Sequence, residues 1–117
     1  MRRRDVHEAL ADVLAVGEEI GSFVGTTTFD EYAADRVLSL AVERQFEVIG
    51  EAVSRALRTE PHLVDRIPEA PAMIAFRNVL AHGYDVVSIE AVYENAKTKL
   101  PVLLAKVRSV LGEVERP

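Results

Sequence analysis

Apolar residues recur at intervals of three and four through almost the whole chain, and no stretch alternates with a period of two. That periodicity is the signature of helices laying one face against a common core, and it excludes a sheet as the organising element. Val6, Leu10, Val13, Gly17, Ile20 and Val24 form the first stripe, over residues 3–24. Leu38, Val42, Phe46, Ile49, Val53 and Leu57 form the second, which Val37, Ala41, Val48 and Ala52 widen toward another neighbour. Met73, Ile74, Phe76, Val79 and Leu80 mark a short third segment, residues 69–81. Ile89, Val92, Ala96, Leu100, Leu103, Val107 and Val110 mark the fourth, residues 89–111.

The boundaries follow from the residues between the stripes. Gly25 ends the first segment, and Thr28-Phe29-Asp30-Glu31 reads as a capping box that opens a helix running to Thr59. Pro61 closes that helix, and the three-proline stretch EPHLVDRIPEAP is a loop or short turn. Gly83 is the expected left-handed terminator of the third segment, Ser88 the N-cap of the fourth, and Gly112 its end. Pro101 predicts a kink, because the periodicity resumes beyond it. Gly50 lies in mid-helix, at a cost of about 1 kcal/mol against alanine. The offset expected is the close approach of another backbone, within the bundle or across a dimer. Together these features predict an all-α, up-and-down four-helix bundle with a possible short extra helix, and residues 1–117 as a single domain.

Composition narrows the chemistry. The net charge of −5 lacks the basic signature of a duplex-binding protein, so any nucleic-acid contact must be local or built by association. With no cysteine there are no disulfides, thiolate nucleophiles or thiolate metal sites. His7, His62 and His82 fit no metal-binding spacing, so neither a metal nor another cofactor is expected. No run of apolar residues is long enough to span a membrane, and the MRRRDVHEAL start does not read as a signal peptide; a cytoplasmic protein is expected.

The chemistry-bearing residues concentrate in RNVLAHGY, residues 77–84. Asn78 and His82 are four apart and share a helix face, while Arg77 lies about 140° from His82 on an ideal helix. They converge only if the chain bends there, and Gly83 supplies the means. His82 falls in the last turn, where the carbonyl end of the helix favours a cationic ring able to give up a proton. Arg77 offers a planar fork for a phosphate, and Tyr84, past the bend, can fold back onto a substrate. This set suits metal-free RNA cleavage, since ribose brings its own 2′-hydroxyl nucleophile. It equally suits a structural role in which Arg77 and His82 serve as dipole partners or carbonyl caps, Asn78 as a polar face and Tyr84 as an anchor. Elsewhere the charges read as surface: Arg2 to Arg4 as a solvated terminus, Arg36, Arg44, Arg55 and Arg58 as ion pairs, Glu43 and Glu47 as exposed, His7 and His62 as bystanders.

RNVLAHGY also resembles the Arg-polar-x3-His-x-Tyr motif of the HEPN superfamily, and within it the HepT-like toxin family. The likeness extends to FDEYAADRVLSLAVERQFEVIGEAVSRA, similar to that family's second helix, and to VYENAKTKLPVLLAKVRSVL, similar to its last. TEPHLVDRIPEAP departs from the family's usual loop. The resemblance implies an endoribonuclease toxin that is neutralised by a small nucleotidyltransferase antitoxin. It implies Arg77 and His82 as catalytic, Asn78 as the polar, substrate-positioning residue beside the arginine, and Tyr84 as a tyrosine that receives AMP. It further implies a homodimer whose two motifs face one cleft, which would let an acidic chain gather positive charge around RNA. The competing expectation is a non-catalytic HEPN-type module that only docks a nucleotidyltransferase, or a plain structural bundle.

Overall fold

The computed structural model describes residues 2–82 and 87–115, and among them all regular structure is helical. The order is α1 (Arg2–Val24), α2 (Phe29–Ala34), α3 (Arg36–Thr59), a 3₁₀ turn (Pro61–Asp65), α4 (Ala70–His82), α5 (Ile89–Glu94), a π turn (Asn95–Lys99) and α6 (Leu100–Glu115). The last three run on from one another, so the bundle has four long members, with α2 as the short extra helix.

Cross-helix pairs give the directions. Asp12 meets Arg55 and Glu19 meets Gln45, so α1 and α3 are antiparallel. Val24 meets Lys97 and Glu18 meets Arg108, so α1 and the α5–α6 column are antiparallel too. The stripes read from the sequence line the interior: Val13, Ile20, Val42, Phe46, Ile49, Val92, Leu103 and Val107 are all buried. Gly17 belongs to this seam because a Cβ there would lie 2.5 Å from Leu104 Cδ2, so α6 packs directly on the α1 backbone.

The capping box forms as expected, with Thr28 Oγ1 accepting from Glu31 N at 3.1 Å and Glu31 Oε1 accepting from Thr28 N at 2.9 Å. The helix it opens does not reach Thr59 unbroken. Asp35 leaves helical geometry, donates its N–H to Tyr32 O to close α2, and accepts from Leu38 N at 3.0 Å to open α3. A short carboxylate satisfies a helix start better than a helix interior, and here that local competition wins. Val37, next in line, is 80% exposed and widens no buried stripe.

Ser88 caps α5 as expected, through Ala91 N. Pro101 makes no simple kink. The turn before it opens to π geometry, and Leu100 N–H reaches back five residues to Asn95 O. Within the widened turn Lys97 Nζ donates to Val24 O and Gly25 O at 3.1 and 3.0 Å, capping the carbonyl end of α1. Gly112 does not end the last helix, which runs to Glu115. Arg66 grips both carboxylate oxygens of Glu113, and this fork holds the turn that contains the glycine. The proline-rich connection is a 3₁₀ turn anchored by buried Leu63 and Ile67. Gly83 lies outside the described residues. Among those residues no helix is long and apolar enough to cross a membrane.

Candidate functional site

The site residues ride on α4, whose position is set by α3. Phe76 stacks edge-on against buried Phe46 at 5.2 Å, and Met73, one turn earlier, is buried. Arg77 follows Met73 by four residues and so falls on this docked face. Its stem meets α3 at Gly50: a Cβ there would lie 2.2 Å from Arg77 Cβ, 2.6 Å from Arg77 Cγ and 3.4 Å from Met73 O. Of the two offsets expected for Gly50, the one inside the bundle is realised.

The packed stem leaves the Arg77 guanidinium at the surface, with the side chain 33% exposed. Its Nη1 donates to Asn78 Oδ1 at 3.0 Å and its Nη2 to Glu51 Oε2 at 3.4 Å. The other oxygen of Glu51 lies 3.7 Å from Arg58, which also donates to Ser54 Oγ at 2.8 Å. A groove of about 180 Å³ opens beside the fork, lined by Arg44, Glu47, Val48, Glu51, Arg55 and Arg77. Three arginines and two carboxylates line this groove, and the third arginine, Arg55, is paired with Asp12 on α1.

Asn78 and His82 are exposed, on the side of α4 turned away from α3. His82 is the last residue of the helix. The helix geometry expected from the spacing therefore holds: Asn78 reaches round to Arg77, whereas His82 projects from a different face. Tyr84 lies outside the described residues. His7 and His62 sit on α1 and on the 3₁₀ turn. Among the described residues no three His, Asp or Glu side chains are grouped to hold a metal ion.

The arginines of α3 make the expected ion pairs, Arg36 with Glu43, Arg44 with Glu47, Arg55 with Asp12 and Arg58 with Glu51. Glu43 and Glu47 are not exposed as expected but half-buried, each with its carboxylate beside an arginine of the same helix. Glu51 was not singled out from the sequence, although it stands in the IGEA phrase next to Gly50. The signal that could have found it is that adjacency, since a residue beside the close-approach glycine must border whatever approaches.

Positioned this way, the site can hold an anion at a fixed guanidinium fork and offer an imidazole to a group bound across the end of α4. No solved structure matches the chain closely enough to add a comparison. A Methanocaldococcus jannaschii protein named "Putative RNase MJ0127" is 29% identical over 117 residues, covering 98% of this chain and 94% of that one. A Thermococcus cleftensis protein named "Probable ribonuclease HepT" is 28% identical over 104 residues, covering 89% and 94%. The family profile described as "Ribonuclease HepT-like" matches residues 13–110, nearly the whole bundle, and the chain belongs to that HepT-like ribonuclease family.

Proposed function

We propose that the chain is a metal-independent endoribonuclease that serves as the toxin of a toxin–antitoxin pair, with Arg77 and His82 catalytic and Asn78 positioning the substrate. The observation that carries this reading is the Arg77 fork, packed at its stem against Gly50 and presented beside a groove lined by Arg44 and Arg55. In the reaction the ribose 2′-oxygen bonds to phosphorus and the 5′-oxygen leaves. One proton passes from the 2′-hydroxyl to water and another arrives on the 5′-oxygen, giving a 2′,3′-cyclic phosphate and a 5′-hydroxyl. Arg77 stabilises the charge that builds on the phosphoryl oxygens, and His82 supplies the proton to the leaving oxygen. Because His82 and Arg77 leave α4 on different faces, a homodimer that sets two copies of the motif across one cleft places both groups around a single phosphate. A nucleotidyltransferase antitoxin then silences the enzyme by transferring AMP to Tyr84.

The test is incubation of the purified, unmodified protein with RNA, beside a His82→Ala control. Cleavage to cyclic-phosphate ends by the wild type and none by the variant is the expected result. Equal cleavage by both, or none by the wild type, removes the reading.

A further inference from the structure

Arg77 does not stand free to receive a phosphate. Glu51 holds it through Oε2, and Arg58 holds Glu51 through Oε1, so one carboxylate is shared by two guanidinium groups. The three residues form a relay along one surface of α3, with Arg77 contributed by α4. The backbone beneath the relay is fixed, because Gly50 precedes Glu51 and bears directly on the Arg77 stem. Only the side-chain ends can move. Glu51 and Arg77 are 44% and 33% exposed, so water and a substrate oxygen can both reach the pair.

We infer that Glu51 is a positioning residue for the proposed nuclease: it keeps the Arg77 fork aimed at the groove, and when an RNA phosphate arrives it yields Arg77 and swings onto Arg58. The inference rests on the nuclease reading of the site. Two consequences follow from charge and geometry. A carboxylate beside Arg77 opposes a phosphate at the same fork, so Glu51 weakens RNA binding in the resting enzyme. The same carboxylate, acting on Nη2 while Asn78 holds Nη1, restricts the far end of a side chain whose stem Gly50 already packs, and so it favours the geometry in which cleavage occurs. Arg58 makes the exchange cheap, because Glu51 leaves one cation for another that it already faces.

Two substitutions separate these roles. In Glu51→Gln the charge is gone but an acceptor for Arg77 Nη2 remains. KM for an RNA oligonucleotide should fall by about threefold to fivefold, the worth of one exposed ion pair, with kcat near that of the wild type. In Glu51→Ala both charge and acceptor are lost, so KM falls similarly while kcat drops by about tenfold or more. Nitrogen-15 relaxation of the Arg77 Nε–Hε group reads the aiming without any reaction: it should stay ordered in Glu51→Gln and become mobile in Glu51→Ala. Unchanged KM in both variants, or an Arg77 as ordered in Glu51→Ala as in the wild type, overturns the inference and leaves the nuclease reading intact. A wild-type protein that cleaves no RNA overturns both.

Discussion

Gly50 and Arg77 touch where α3 meets α4, so closely that a methyl group on Gly50 would fall 2.2 Å from the Arg77 Cβ. Gly50→Ala therefore pushes the site-bearing helix outward. Overpacking of this kind costs about 1–3 kcal/mol, partly offset by the roughly 1 kcal/mol that alanine gains over glycine in a helix. The expected result is a modest fall in thermal stability with a much larger loss of RNA cleavage, measured by melting curves and initial rates on the same preparation. Full activity in Gly50→Ala would show that the contact does not aim Arg77.

Truncating the site residues should separate function from folding. His82 is exposed and the Arg77–Glu51 pair is half-solvated, so His82→Ala and Arg77→Ala should each shift stability by no more than about 1 kcal/mol while abolishing cleavage. EDTA should leave the wild-type rate unchanged. Activity erased by EDTA and restored by magnesium would require a metal in the mechanism.

A homodimer is expected from the outer face of α3. Val37, 80% exposed, and Leu40 are followed at helical spacing by Arg44, Glu47 and Glu51, which places exposed apolar surface in line with the groove. Sedimentation should show a dimer at micromolar concentration, and Val37→Asp should yield a folded monomer without RNase activity. A wild-type monomer at that concentration would remove the shared cleft from the mechanism.

Modification should act through Tyr84. On the proposed reading, an AMP group on Tyr84, seven residues after Arg77 in the chain, competes with the RNA phosphate for the Arg77 fork. Co-expression with a cognate nucleotidyltransferase should add one or more AMP units to Tyr84 and silence the enzyme, and Tyr84→Phe should resist both effects. If the phenylalanine variant is neutralised as readily as the wild type, the partner works by masking instead.

Tyr32 sets an alkaline limit on stability. Its ring, on α2, is buried against Tyr93 of α5, its hydroxyl meets no hydrogen-bond partner among the described residues, and burial, aided by Glu43, pushes its pKa up to about 12. The unfolded chain loses this proton near pH 10, before the folded one does, so the tyrosine removes stability as pH rises from about 10 toward 12 and has no such effect below. Tyr32→Phe should match or exceed the wild type by about 1 kcal/mol at neutral pH. Its advantage in urea unfolding should widen above pH 10; an advantage that narrows there would contradict the assignment.

Helix periodicity was enough to place the four long members of the bundle, because Val13, Phe46, Leu103 and their neighbours repeat on one face. The capping residues Thr28 and Ser88 were legible for the same reason, since each bond spans only three residues. Asp35 was not, because a carboxylate inside an apolar repeat looks like a solvent-facing position until the backbone is seen to turn around it. The π turn was hidden in a stripe that tolerates one extra residue without losing its buried face. At the site, Arg77, Asn78 and His82 could be named from their spacing, and Gly50 flagged from its cost. That Gly50 meets Arg77, and that Glu51 stands between Arg77 and Arg58, depends on which helix lies beside which, information carried by no local pattern.

The widened turn at Asn95–Lys99 also fixes how this region can change length. A regular helix advances about 100° per residue, and the widened turn holds one residue beyond that count. Deleting one position there would restore regular α geometry and leave Leu103, Leu104 and Val107 on the seam against Gly17, at the expense of the Lys97 contacts with the end of α1. The same deletion in the regular turns that follow has no surplus to draw on and would rotate the residues beyond it by about 100°. Single-residue gaps among relatives should accordingly gather within residues 95–99 and be absent from the regular turns of α6, a pattern in which the bulge is the slack link of the column.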